Sequence, residues 1–500
     1  MIQQPHEIHT IIGLSSHSST TKEQIDPDNV DAMLAAELNQ MTFQEREKIN
    51  EEIHGVDNII EETEELVTRA LQDMDLALHL LANNSIFYQA KSINSRYVDD
   101  PSFRLMFLRS EYFDPPMAAK RLIKFLENKV KFFGEETLAR PIYLSDLNND
   151  DMAFLKSGSL QLIPARDRSG RVILADFTRD DSLEQLKDIS NYIKTVIYLT
   201  LAAAEDDETQ RRGILTMFYF TNVFPLFQKL YERKPNLFDW LPMKLVGVHI
   251  CFHDARFRII HALVMLLIGK KRRVRVRLHE GSDTECQYKL MTFGVPVQHF
   301  PVSYEGQVKS LAHGKWLARR AVKETALQTV GKFEGIDLPR SCDVLLGRGK
   351  IVQEHSGNVM LRRLIADYMP EYRNVPKKEK SHVAWKVMQA VKVLGGRFLK
   401  RQEPDGWWVE VSDEIAKEKI SMTYRTSRSL LTESPMTTMG SSGERVLTMH
   451  NTLDRSDSLE PMLKRLKESH PEEQVGVVDY SNKSGGLPMC NNFCFGVLEG

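Results

Sequence analysis

The chain has 500 residues, 66 Lys and Arg against 68 Asp and Glu, a net charge of −2, and 42% apolar side chains. That composition is enough for at least two buried cores, and no apolar run reaches the roughly 18 residues that a membrane-spanning helix needs. Five cysteines at unrelated spacings exclude a disulfide scaffold, and an N-terminus without a basic and apolar stretch predicts a cytoplasmic protein, peripheral to membranes, with the nucleus also open.

Charge is unevenly placed. Between Asp28 and Asn83 acids outnumber Lys and Arg by eleven, whereas Ser341 to Leu430 carries six cations in excess. Residues 1–27 are polar and expected to be disordered. Residues 28–134 read as a helical module. Thr42 and Glu45 form a capping-box pattern, and Gly55 is placed to stop that helix. Ile59, Ile60, Leu66, Val67, Ala70, Leu71 and Met74 form one apolar stripe at helical spacing. Asp100-Pro101 and Asp114-Pro115 each read as N-cap and first residue of a helix, and the short connection between the two predicts an antiparallel pair.

Residues 135–310 read as an α/β lobe. Leu160–Ile163, a turn at Asp167–Gly170, and Arg171–Phe177 form strand, turn and strand. A helix is expected from Ser182 to Ala204, then a strand buried on both faces from Ile214 to Phe220. A helix near Pro225–Arg233, strand Val246–Cys251, helix Arg256–Ile268, strand Val274–Leu278 and helix Thr284–Phe293 follow. This alternation predicts a mixed sheet covered by helices.

Helix 256–268 is apolar all round after Arg258 apart from His261, so it is buried or meets lipid. At about 20 Å it is too short to cross a bilayer. Its inner face, Ile259, Ile260, Leu263, Val264 and Leu267, would line an acyl-chain pocket with Ile214, Phe218 and Phe220. Met265, Leu266 and Ile268 would dip into the interface. The competing reading is a solid core helix with no cavity. In the strand that follows, alternation puts Arg273, Arg275 and Arg277 on one face, led in by Lys270 and Lys271. They suit the phosphates of an anionic membrane, or else dock on the acidic N-terminal helices. His249 and His253, beside Asp254, lie about 13 Å apart along a strand, so no shared metal is expected.

Phe103 to Gly134 (FRLMFLRSEYFDPPMAAKRLIKFLENKVKFFG) resembles the N-terminal helical module of the CRAL-TRIO lipid-binding family, which pairs an arginine-bearing FLR helix with a D-x-x-x-A helix. Asp167–Phe177, Ile214–Asn222 and Leu241–Pro301 are similar to that family's turn and first strand, its central strand, and its last strand–gate helix–strand unit. The resemblance covers about residues 85–305. It implies a hydrophobic ligand held behind a movable gate helix, and no bond-making chemistry. The chain departs from the family at Met243, where members that bind phosphatidylinositol carry an acid, and at Phe252-His253-Asp254. It keeps the basic residue after the gate as Arg275.

Residues 311–340 read as a linker, 341–430 as a small, mainly helical α+β domain, and 431–500 as a disordered tail in which Cys490 and Cys494 read as incidental thiols, with acylation or metal binding as the alternative. The small domain starts with Asp343-Val-Leu-Leu-Gly-Arg-Gly-Lys350. That run lacks the spacing of a nucleotide-binding P-loop, and its glycines suit a tight turn that projects Arg348 and Lys350. Helices Val359–Tyr372 and Lys378–Leu394, a basic run Gly395–Arg401, strand Gly406–Val411 and a helix near Asp413–Arg425 follow. This block resembles a domain of unassigned function that recurs in diatom proteins. Arg348, Lys350, Arg397, Lys400 and Arg401 are its candidate contacts to nucleic acid or to a protein partner. No enzyme motif or cofactor signature is present. The expected function is binding, transfer or sensing of a lipid or other hydrophobic small molecule at membrane surfaces. The alternative is a regulatory protein acting through residues 341–430.

Overall fold

A computed structural model describes residues 27–432 apart from 58, 82–84, 178–185, 221–236, 253–261, 263–264, 267–269, 303–306 and 403–405. Both tails and the helix near Pro225–Arg233 lie outside the described residues.

The N-terminal third is helical, with boundaries set by local chemistry. Helix α1 spans Pro27–Gln40 and α2 spans Phe43–His54. Thr42 and Glu45 make both bonds of the capping box, and Gly55 ends α2 at φ +64°, a left-handed conformation that favours glycine. Helix α3, Glu64–Leu80, begins at the Thr63 N-cap, so Ile59 and Ile60 precede it and stay exposed instead of extending its stripe. Then come α4 (Ser85–Ile93), α5 (Pro101–Ser110) and α6 (Pro115–Phe133), with Asp100 and Asp114 as the expected caps. The FLR arginine, Arg109, grips Glu62 with two bonds of 2.7 and 2.8 Å and reaches Asp207 at 3.1 Å.

The lobe opens with α7 (Asn149–Ser157) and strands β1 (Leu160–Leu162) and β2 (Val172–Asp176). Helix α8 (Ile189–Ala203), the short α9 (Asp207–Arg212) and strand β3 (Ile214–Phe220) follow. Then come β4 (Leu245–Phe252), β5 (Val276–Glu280) and α10 (Asp283–Thr292). The sheet runs β1-β2-β3-β4-β5; β1 is antiparallel to β2 and the rest are parallel. Alternation along β3 feeds two cores. Ile214 and Phe218 face the cluster built with α8 and the N-terminal helices, while Leu215, Met217 and Tyr219 face Cys286 and Leu290 of α10.

The stretch expected as a linker carries α11, Leu311–Thr329, docked on the lobe. The His313 ring lies 2.7 Å from the Leu155 carbonyl, and buried Arg320 holds Glu205 and Glu324. Tyr198 donates to Glu324 at 2.6 Å, a contact across 126 positions that no local pattern announces.

The C-terminal domain comprises β6 (Val344–Leu346), α12 (Lys350–Glu354), α13 (Ser356–Asp367), α14 (Met369–Asn374), α15 (Lys380–Val393), β7 (Phe398–Arg401), β8 (Trp408–Glu410) and α16 (Asp413–Thr432). Strand β7 pairs parallel with β6 and antiparallel with β8. The connecting segment adds a rung outside β8, where Ile336 and Trp408 exchange backbone bonds of 2.8 and 3.0 Å. Trp407 is buried beneath Phe333, ring centroids 4.7 Å apart, with the Arg319 guanidinium 5.6 Å over its face.

Candidate functional sites

The apolar face of the sheet comes first. Leu174, Ile214, Val248, Ile250 and Phe252 are buried on one side of β2, β3 and β4. Of residues 256–268, expected as an apolar helix, only Ala262, Met265 and Leu266 are described; Ile259, Ile260, Leu263, Val264 and Leu267 lie outside the described residues. Met265 is buried in the core and Leu266 packs on it, so Met265 does not form the outer, interface-dipping face expected for it. Between Ile214 and Tyr219 of β3, Phe218 alone is not fully buried. Thr216, between Ile214 and Phe218 on the same face, has a buried hydroxyl without a partner among the described residues. The Phe220 side chain lies outside the described residues.

The basic run corrects a second expectation. Lys270–Arg273 form a helical turn and β5 begins only at Val276, so Arg273, Arg275 and Arg277 do not share a strand face. Arg273 is buried and meets Glu37 of α1 at 3.3 Å. Arg275 binds the buried carboxylate of Glu52 on α2 at 3.0 Å, and Tyr112 donates to the same carboxylate at 3.0 Å. Half-buried Arg277 donates to the carbonyls of Val274 and Val276. Arg273 and Arg275 fasten the acidic N-terminal helices, and Arg277 is turned onto its own backbone, so the three do not form an open headgroup surface. The side chains of Lys270 and Lys271 lie outside the described residues. The fully buried Arg171 completes the dock: it pairs with Asp167 at 2.6 Å and donates to the α2 carbonyls of Glu52 and Ile53.

On the α10 side of the sheet, His249 finds a partner that is not His253, which lies outside the described residues. His249 Nδ1 sits 2.9 Å from His279 Nε2, with the rings stacked at 5.1 Å. Phe293 covers both at 4.7 and 5.5 Å, and His54 of α2 stacks on Phe293 at 4.8 Å. Burial drives His249 well below the usual histidine range, helped by His279 and nearby arginines. Burial, with Lys289 and Arg277, pushes His279 down to about 4. Both rings are therefore neutral near pH 7, one donating and the other accepting. No group of three or more ligating side chains among the described residues could hold a metal ion, and none of their helices is long and apolar enough to cross a membrane.

In the C-terminal domain, Arg397 is not an open contact. It grips Asp343, whose carboxylate is fully buried, at 2.8 and 3.1 Å. Asp343 also accepts from the backbone N–H groups of Arg340 and Arg397, which fixes the start of β6 against β7. The other candidates are brought together. Leu346 pairs with Lys400, so the turn that follows β6 leaves the sheet beside the end of β7. Gly347 (φ +153°) and Gly349 (φ +104°) shape that turn, and Arg348, Lys350, Lys400 and Arg401 are all exposed. Arg362, a further exposed cation, donates to the Gln353 carbonyl of α12 at 2.9 Å and so joins the same edge.

Residues 343–426 match the family model described as a domain of unknown function, DUF6824. The match starts one residue before β6 and ends within α16, so the DUF6824 region is a folded α+β unit. No family match supports the CRAL-TRIO resemblance of residues 85–305. No curated protein matches the chain.

The segment just before the DUF6824 domain, residues 339–341, is tied to the lobe through polar contacts. Arg340 meets Asp206 at 3.0 Å, and Ser341 donates to Glu208 at 2.6 Å. Arg166 holds Asp206 at 2.8 Å and the Pro339 carbonyl at 3.0 Å. Burial would raise the Asp206 carboxyl, but Arg166 and Arg340 outweigh it and hold the group at about 2.

Proposed function

We propose that the five-stranded lobe binds a hydrophobic small molecule of the acyl-chain type and exchanges it at membrane surfaces, as a peripheral cytoplasmic carrier or sensor that makes no bonds. The observation that carries this reading is the centre of β3. Phe218 stays half-buried on a face where Leu174, Ile214, Val248 and Ile250 are buried, and beside it Thr216 has a buried hydroxyl without a partner among the described residues. An apolar wall with one polar group is the usual lining of a small-molecule site, because each buried methylene contributes about 0.8 kcal/mol and a single hydrogen bond fixes orientation. The resemblance of the expected element order to CRAL-TRIO proteins, read from the sequence alone, supports the same reading.

The test is extraction of the purified full chain with organic solvent, followed by mass spectrometry, alongside transfer of a fluorescent fatty acid between vesicles. Lipid recovered near one per chain is expected, and Phe218→Asp should lose it with little change in the far-ultraviolet circular dichroism. Recovery of no lipid together with no transfer ends the proposal.

A further inference from the structure

We infer that the open edge of the DUF6824 domain, formed by Arg348, Lys350, Arg362, Lys400 and Arg401, is a binding site for the phosphodiester backbone of double-stranded nucleic acid. The five cations come from three separated stretches of sequence, and the fold gathers them. Parallel pairing of Leu346 with Lys400 sets the Arg348 turn beside the end of β7, and the Arg362–Gln353 bond folds α13 back over α12. All five are exposed, and among the described residues the only carboxylate partner any of them has is Glu354, 3.7 Å from Lys350. By contrast, Arg397 and Lys392 of the same domain are spent on Asp343 and Asp413. Five cations with one carboxylate among their described partners favour an anionic ligand at this edge, and although Arg362 and Arg401 each spend one N–H on a carbonyl, of Gln353 and Gly406, their remaining donors suit phosphate oxygens.

The surroundings favour nucleic acid over a membrane. Among the described residues between 343 and 426 the large exposed apolar side chains are Trp385, Val393, Ile415 and Met422, which stand on α15 and α16 and not beside the turn; the Ile351 side chain lies outside the described residues. A surface that enters lipid would carry apolar residues next to its cations, whereas contact with a phosphate backbone needs charge alone. The proposed contacts are to phosphate oxygens, which carry no sequence information, so binding is expected to be independent of sequence. Glu403 and Asp405 follow Arg401 in the chain and lie outside the described residues; as neighbouring acids they oppose binding.

The inference does not depend on the lipid reading and is tested separately. Fluorescence anisotropy of a labelled 20-base-pair duplex is titrated with the full chain at several salt concentrations. With four or five phosphate contacts, log affinity should fall against log salt with a slope of about −4. Arg348→Gln with Lys400→Gln should weaken binding at least ~10-fold and reduce that slope by about two. Lys377→Gln with Lys378→Gln removes the same charge from an exposed loop elsewhere in the domain and should leave both nearly unchanged. Neutralising Glu403 and Asp405 should tighten binding. The inference is overturned by no binding at low salt, by equal losses in both double variants, or by affinity for phosphatidylserine vesicles without affinity for the duplex.

Discussion

The histidine pair illustrates how much a single contact depends on its surroundings. His249 and His279 are held neutral, chiefly by burial, between β4, β5 and Phe293, with Arg171, Arg277, Lys289 and His54 adding positive charge around them. In the unfolded chain both would titrate near 6.5. The unfolded state therefore binds more protons below that value, so the stabilising contribution is complete above pH 6.5. It is lost as pH falls towards 4, at about 1.4 kcal/mol per pH unit for each histidine. Thermal unfolding followed from pH 8 to pH 4.5 should show a plateau and then a decline, and His249→Leu should flatten that decline. A wild-type midpoint that does not move across this range contradicts the assignment. The sequence offered His249 with His253, four positions apart. The partner at position 279 became visible only once β4 and β5 were in register. Arg273 and Arg275 carry the same lesson, since their carboxylates lie more than 200 positions upstream.

Element boundaries were the most legible feature, because caps and turns act over three or four residues. The Thr42 box, the Gly55 stop and the Asp100 and Asp114 caps are all found where the sequence places them. The central strand and the α10 region agree as well. Strand β5 starts two residues later than the Arg/Val alternation suggests, because Val274 and Arg275 form a turn between the helical Lys270–Arg273 and the strand, and only tertiary contacts separate such a turn from a strand start. Close packing between elements leaves weaker marks. Gly357 lies at the start of α13 against β6, where an added Cβ would sit 2.0 Å from the Asp343 carbonyl oxygen, a backbone atom that cannot swing aside. Gly357→Ala should thus destabilise the DUF6824 domain by about 3 kcal/mol, the upper end of ordinary overpacking. Urea unfolding monitored by tryptophan fluorescence would check this, and a change below about 0.5 kcal/mol would mean that the helix and strand can part at little cost.

Across the molecule, residues 311–340 behave as structure and not as tether. Helix α11 is locked to the lobe by Arg320 and Glu324, and the segment after it reaches the small domain through Phe333 and Ile336 while Arg340 and Ser341 hold the lobe. Composition could not reveal this, because an amphipathic helix whose polar face is buried in ion pairs reads like a solvated one. One small element, α9, is held from both sides. Arg109 of the helical module binds Asp207, while Arg340 and Ser341 hold Asp206 just before it and Glu208 within it.

The rung that Ile336 lays along β8 does more than join two parts. A three-stranded sheet ending in Trp408 would otherwise present unsatisfied amide and carbonyl groups to any passing chain, an invitation to strand addition between molecules. The connecting segment is thus a selvage for this small sheet. A fragment beginning at residue 343 should self-associate in sedimentation velocity, whereas one beginning at residue 331 should remain monomeric. Equal behaviour of the two would show that the hem is dispensable.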